Sequence, residues 1–347
     1  MYIKKILLAI VLIGLVIASV VAYNIYGMLF APNTAFNNEE AHLYIPSDAS
    51  YEEVRAQLQP LLKNMDDFDA VAKRKGYVNN VKGGHYIIRK DMDNNTIINT
   101  IRSKNVPVKV SFNNQERIED LAGRVATQIE ADSVSLVQLM TEEDFLREQG
   151  LDQETALSLY IPNQYEFFWD TSAQEFRARM VKEHQKFWND TRLKKAEQLE
   201  LSPEEVYTLA SIVQKESAKV DERPRVAGVY LNRLKSGWKL DADPTVIYAL
   251  KKDQADWNLI IKRVLYKDLE LDSPYNTYKN AGLPPGPIFM PDISAIDAVL
   301  NAEDHQFYFF VADVENFGYH KFARTLAEHN ANKRDYVRWI NQQGINR

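Results

Sequence analysis

The sequence predicts an α+β protein: one N-terminal transmembrane helix, a small α+β module behind it, then a larger mixed α+β domain. Three observations carry this reading. Ile6 to Ala22 is an apolar run without a charge, and its character continues to Phe30 with Asn24 the one strongly polar break, long enough to span a bilayer. Between Leu43 and Ile129, short extended stretches alternate with amphipathic helical ones, the pattern of a small α+β unit. From Ser202 to Asn341, capped helical patterns dominate, interrupted by a proline-rich loop and one hairpin signal.

At 347 residues, 45% hydrophobic and 26% charged, the chain has room for a membrane segment and one or two sizeable cores. A formal charge of −6 offers no basic face for nucleic acid. Lys4 and Lys5 precede the apolar run and the next charge is Glu39. The N-terminus is therefore expected in the cytoplasm, and the bulk of the chain on the outer, periplasmic side of the plasma membrane. The rival is a cleaved signal peptide with Val20-Val21-Ala22 as its site. The apolar stretch exceeds a typical signal core and runs on past that site, which favours the anchor. With no cysteine, an exported chain takes its stability from core packing. The expected division is 1–5 cytoplasmic, 6–30 membrane helix, 31–40 a polar tether, 41–110 a membrane-proximal subdomain and 111–347 the main domain.

Three units of the membrane-proximal part share one plan, an extended run, a polar turn and a helix. They are Leu43–Pro46 leading to Tyr51–Leu58, His85–Ile88 to Thr96–Ile101, and Val106–Phe112 to Arg117–Ile129. Leu136–Gln149 and Thr155–Tyr160 look helical. Ala173 to Leu201 reads as one long charged helix with Phe176, Met180, Phe187 and Leu193 as its packing stripe. A helix over about Glu222 to Lys235 stops at Gly237, a fitting residue after a helix end. Asp243-Pro244 reads as an N-cap and first-turn pair. Residues 273–291 are dense in proline and glycine, a stiff loop suited to one wall of a cleft. Phe307–Val314 and Tyr319–Phe322 read as a hairpin, and Leu326–Asn341 as a last helix.

The helix ending at Glu216 carries the most chemistry. Ser202 caps it, Pro203 occupies the first turn and Glu205 stands at the reciprocal capping position. Val206, Leu209, Ala210 and Val213 form one buried stripe. Glu216 falls at the edge of that stripe, between Leu209 and Ile212, with Lys215 and Ser211 on the opposite, wet side. It also sits in the last turn, where the helix dipole disfavours a negative charge. Both influences raise a carboxyl pKa, which suits a general acid aimed at a poor leaving oxygen. A Glu near a helix end is otherwise a solvated residue or an ion-pair partner.

The surrounding text is ordered: Ala210-Ser211-Ile212-Val213-Gln214-Lys215-Glu216-Ser217, then Glu222-Arg223, Val226 to Leu234, Gly237, Leu240, Asp243 to Tyr248, Ser273 to Tyr278 and Gly282 to Ile288. With Ile161-Pro162-Asn163-Gln164-Tyr165-Glu166-Phe167 ahead of it, this series resembles the endolytic murein transglycosylase (YceG-like) family. The resemblance is dense from about Tyr160 to Tyr336. It implies a lyase cutting the β-1,4 bond between N-acetylmuramic acid and N-acetylglucosamine within nascent peptidoglycan strands, leaving 1,6-anhydro ends and terminating strand elongation. It further implies that Glu216 is the catalytic residue, acid then base. It makes 41–110 a LysM-like subdomain, although Ser111-Phe112-Asn113-Asn114 stands where relatives have Pro-Glu-Gly. Peptidoglycan synthases are the implied protein partners.

Around that acid, Asn276, Thr277 and Tyr278 can supply hydrogen bonds to N-acetyl and hydroxyl groups, and Tyr275 or Tyr278 a stacking face. Asn232, Arg233 and Thr245 are further candidate contacts. Asp243 is either a helix cap or the second carboxylate that a hydrolytic muramidase needs, about 5 Å or about 6.5–9.5 Å away. A wall-binding scaffold without activity is the remaining alternative. No cofactor or metal is expected: His42, His85, His184, His305, His320 and His329 lack metal spacing, and there is no glycine-rich phosphate loop or G-x-S-x-G. Ser236 to Lys239 fits S-x-x-K by chance in a turn, and Asp91 to Asn95 lacks the glycine and glutamate of a calcium loop.

Overall fold

A computed structural model describes residues 2–261 and 263–342. The chain forms two compact units, each with its own core. Helices and short strands are mixed, behind one N-terminal apolar helix.

The first unit comprises Met1–Val110, Ala126–Ala131 and Tyr165–Ser172. It opens with α1 (Tyr2–Phe30), 29 residues that extend about 43 Å at 1.5 Å per residue. Residues 31–39 are not a slack tether. Asn33 and Thr34 are buried. The Asn33 amide donates to Asn94 Oδ1 at 2.7 Å and to the Asn64 carbonyl at 2.8 Å, and Thr34 Oγ1 accepts from the Asp91 N–H at 2.8 Å. The stretch reads as loose because it is polar, but its polar atoms find partners inside the unit.

Next come β1 (Glu40–Ile45), α2 (Tyr51–Leu58), α3 (Met65–Arg74), β2 (Gly84–Arg89) and α4 (Asn94–Ser103). β1 pairs antiparallel with β2, from Glu40 opposite Arg89 to Ile45 opposite Gly84. Alternation turns Leu43 and Ile45 inward, onto Val54, Leu58, Phe68, Val71, Ile97 and Ile101. Each helix starts on a side-chain cap: Ser50 with Glu53 as a capping box, Asn64 on the Asp67 N–H, Asp93 on the Thr96 N–H. Helix α3 is absent from the strand–turn–helix plan read off the sequence. Its Phe68, Val71 and Ala72 are fully buried, an i, i+3, i+4 face. β3 (Val108–Phe112) pairs with β4 (Asn163–Phe167).

The second unit comprises Ser111–Val125, Asp132–Gln164 and the chain from Ala173 on. Helices α5 (Ile118–Ala126), α6 (Ser133–Met140) and α7 (Glu143–Glu148) lead to a 3₁₀ turn at Ala156–Leu159. The helix expected over Leu136–Gln149 is thus two, broken at Thr141-Glu142. The long helix expected over Ala173–Leu201 also breaks, into α8 (Ala173–Phe187) and α9 (Asp190–Gln198). Asn189 takes the N-cap role, accepting from the Arg192 N–H, and so starts a new helix rather than continuing the old one. Phe176 and Met180 of α8 are buried, while Leu193 of α9 is exposed.

Four helices then form the heart of the unit: α10 (Pro203–Glu216), α11 (Arg223–Lys235), α12 (Asp243–Asp253) and α13 (Ile293–Leu300). α10 packs on the other three. The hairpin of β5 (Phe309–Ala312) and β6 (His320–Ala323), paired Phe309 to Ala323 and Ala312 to His320, and α14 (Leu326–Gln342) close the chain.

Candidate active site

Helix α10 begins as the sequence dictates, with Ser202 accepting from the Glu205 N–H, Glu205 reaching back to the Ser202 N–H, and Pro203 in the first turn. Its middle is apolar and enclosed: Val206 through Val213 are all buried, each large aliphatic side chain contributing about 1.5–3 kcal/mol. Ser211 corrects the wheel reading. It is fully buried rather than wet, because α10 is covered on more than one face. Its hydroxyl donates to the Thr208 carbonyl at 2.6 Å and accepts from the Ile288 N–H at 3.1 Å. Lys215 stays exposed as expected, over the Phe289 ring.

The helix ends at Glu216, which is partly buried. Its Oε1 accepts a 2.9 Å hydrogen bond from the Tyr230 hydroxyl on α11. Loss of water pushes the Glu216 carboxyl up to about 7. The Tyr230 hydrogen bond opposes this, the Asp243 carboxylate adds to it, and the positive charge of Arg233 opposes it. Desolvation dominates. Tyr230 is itself held far above its ordinary value by burial and by the neighbouring carboxyl, so its hydroxyl remains a donor. The group therefore takes up and gives back a proton near neutral pH while one oxygen is fixed in place.

Asp243 and Tyr278 stand at this same carboxyl's margin. Asp243 is not the cap of α12; Ala242 occupies that position without a side-chain bond, and Asp243 is the first helical residue. Its carboxylate is exposed and accepts the Tyr278 hydroxyl at 2.7 Å, which draws it away from the helix amides. Arg233 is buried on α11 and donates to the carbonyls of Tyr308 at 2.8 Å and Leu240 at 2.7 Å, with the Asp241 carboxylate at 3.5 Å. Asn232 gives its amide to the His305 and Phe307 carbonyls at 2.9 and 3.0 Å.

The proline-rich loop is pinned from the inside. Tyr275, Asn276, Thr277 and Thr245 have at most 1% of their surface exposed. Thr277 Oγ1 pairs with Thr245 Oγ1 at 2.8 Å and accepts from the Ala242 N–H at 3.0 Å. Asn276 donates to the Leu269 and Leu271 carbonyls at 2.9 and 2.8 Å, and Tyr275 gives its hydroxyl to Glu154 at 2.8 Å. The sequence reading offered these side chains to a sugar; in the fold Thr277 ties the loop to Thr245 and Ala242 at the start of α12, Asn276 to the Leu269 and Leu271 carbonyls, and Tyr275 to Glu154. Tyr278, half-buried, is the candidate of this group with surface left to offer.

Tyr230 is the participant that sequence reasoning passed over, although it stands in a motif already quoted. A signal was present: it lies four residues after Val226 on a buried helical face, and an enclosed phenol needs a partner for its hydroxyl. Among the described residues no cluster of His, Asp or Glu is arranged to hold a metal ion.

Fold and cluster together define an α+β protein with one N-terminal apolar helix and a proton-holding carboxyl at the end of a buried helix. The chain belongs to the YceG-like family, whose profile matches residues 43–335. It is 29% identical over 339 residues to the endolytic murein transglycosylase of Bacillus subtilis (strain 168), covering 92% of this chain and 91% of that protein. Against the endolytic murein transglycosylase of Streptococcus pneumoniae serotype 2 (strain D39) the identity is 26% over 326 residues, covering 84% of this chain but 58% of that one. A crystal structure of a YceG-like protein from Listeria monocytogenes matches with a TM-score of 0.56 at 28% identity, over 85% of this chain and 99% of that one.

Proposed function

We propose that this chain is an endolytic peptidoglycan lytic transglycosylase, with Glu216 as its single acid and base. The observation that carries the reading is the Glu216 carboxyl itself, lifted to about 7 and held by Tyr230 through one oxygen. The relatives named murein transglycosylases supply the substrate class. Protonated Glu216 gives its proton to the glycosidic oxygen between N-acetylmuramic acid and N-acetylglucosamine as the C1–O bond breaks. The resulting carboxylate takes the proton of the muramic acid 6-hydroxyl, whose oxygen closes on C1. A 1,6-anhydro end forms, the acid is regenerated and no water is consumed.

Asp243 supports a second reading. Its charge is felt at Glu216, so it could serve as base for a water in a hydrolytic muramidase. Digesting purified glycan strands and weighing the products separates the two. Anhydro ends fit the transglycosylase; reducing ends that have gained a water refute it in favour of the hydrolase. A non-catalytic wall-binding scaffold predicts that neither product forms.

We place α1 in the plasma membrane as a single anchor, with the N-terminus cytoplasmic and both folded units outside. Its length, the absence of any charge from Ile6 to Phe30 and the lysines ahead of it support this. The region 41–110 is proposed as the LysM-like membrane-proximal part, on the strength of its β–α–α–β order, and 111–347 as the catalytic domain. Protease accessibility in right-side-out membranes tests the orientation. Peptidoglycan synthases follow as partners because a tethered enzyme reaches only strands emerging near the membrane.

A further inference from the structure

The motif Glu222-Arg223 and the β5–β6 hairpin are not used by the proposed chemistry, yet both converge on the residue after Glu216. Ser217 is buried and leaves the helix in extended conformation. Its hydroxyl donates to Glu222 Oε2 at 2.8 Å, and its carbonyl accepts from Arg223 Nε at 3.1 Å. The Glu222 side chain is only 3% exposed. It accepts two more hydrogen bonds from the hairpin, the His320 N–H on Oε1 at 2.7 Å and His320 Nδ1 on Oε2 at 2.8 Å. A carboxylate this enclosed is costly unless all its partners are in place. The same hairpin also touches the phenol that holds the acid: Phe310 packs edge-on against the Tyr230 ring, with centroids 5.9 Å apart, and His320 packs on Phe310 at 5.1 Å.

We propose that Glu222 and His320 are positioning residues for Glu216: their hydrogen-bonded pair locks Ser217, and the hairpin they fasten holds Tyr230 against the acid. This rests on the transglycosylase reading for what the positioned group does, but not for the geometry. The chain fixes the acid from two directions, its own backbone through Ser217 and its hydrogen-bond donor through Phe310. Neither Glu222 nor His320 touches the carboxyl of Glu216. The charged and titratable groups that do face it are Tyr230 and Arg233 on α11, Asp243 on α12 and Tyr278 on the proline-rich loop.

The test uses the full chain in detergent, with Glu222→Gln, His320→Ala and His320→Asn. Glu222→Gln places an amide where the His320 N–H and Nδ1 both need acceptors. His320→Ala keeps the backbone N–H bond and is the milder variant should the first fail to fold. His320→Asn restores a side-chain donor near the lost Nδ1. Two readouts are taken: steady-state cleavage of glycan strands, and titration of the Glu216 carboxyl by carbon-detected NMR, its signal assigned by its loss in Glu216→Gln. The expected result is kcat lower by roughly 10- to 100-fold with KM little changed, partial recovery in His320→Asn, and Glu216 titrating at higher pH in His320→Ala, because the Tyr230 hydrogen bond that lowers it is loosened. Unchanged kcat, or a fall in melting temperature with Glu216 titrating as in the wild type, overturns the proposal. If the wild type cleaves no glycan, the transglycosylase reading fails instead, and the titration alone still decides whether the pair positions Glu216.

Discussion

Glu216→Gln tests the site through stability, without any substrate. Glutamine keeps the shape of the protonated acid and can accept the Tyr230 hydroxyl through its own Oε1, but it cannot ionise. In the wild type, burial moves the carboxyl from 4.5 to about 7. A group with a raised folded pKa binds its proton more tightly in the native state, so ionising it destabilises the fold. The stability it contributes is fully present below about pH 4.5 and is lost as pH rises through about 7. Converted, that loss is about 3 kcal/mol. Urea unfolding of the full chain in detergent, wild type against variant, measures it, because the difference between the two cancels every other titrating group. The two proteins should differ little near about pH 4, and the variant should be the more stable by about 2–3 kcal/mol near about pH 8. A difference that stays flat over this range would show a solvated carboxyl, and the account of the site would fail.

The same proton sets the rate: kcat/KM for glycan cleavage should fall as pH rises through about 7, and a limb near the ordinary carboxyl range would refute this. Tyr230→Phe removes a hydrogen bond that lowers the Glu216 pKa, so the falling limb should move to higher pH while kcat drops about 10-fold or more from lost orientation. Asp243→Asn removes a charge that raises it, so the limb should move the other way with activity retained; complete inactivity would favour the hydrolase. Gly286→Ala sets a Cβ 2.0 Å from the Glu154 carbonyl oxygen, so the loop must shift, and thermal unfolding should report a loss of about 1–3 kcal/mol.

Capping chemistry made much of the second unit legible. The Ser202–Pro203–Glu205 start, the stop at Gly237 and the final hairpin all depend on residues close in sequence. So does the place of Glu216 at the edge of its helix's buried stripe. The burial that lifts its carboxyl, and the Tyr230, Asp243 and Arg233 groups around it, come instead from the packing of other helices. What was not legible is what comes from far away in the chain. Ser211 looked wet because no local pattern reveals that Ile288 would cover it. Thr245 and Thr277 looked like sugar ligands because their 32-residue separation hides a shared hydrogen bond. Asn189 carried a cap signal, but the charged text on both sides of it looked like one helix. Glu222 and His320 are 98 residues apart, and only the fold shows that they meet.

The join between α1 and the first unit has a mechanical consequence. Met28 and Leu29 pack into that unit's core, Asn94 Nδ2 donates to the Met28 carbonyl at 2.9 Å, and residues 31–39 are docked rather than free. With no swivel at the joint, a helix lying in a bilayer would hand its tilt and rotation straight to the first unit. Lengthening or softening residues 31–39 with glycine would uncouple the two, turning a fixed heading into a free one.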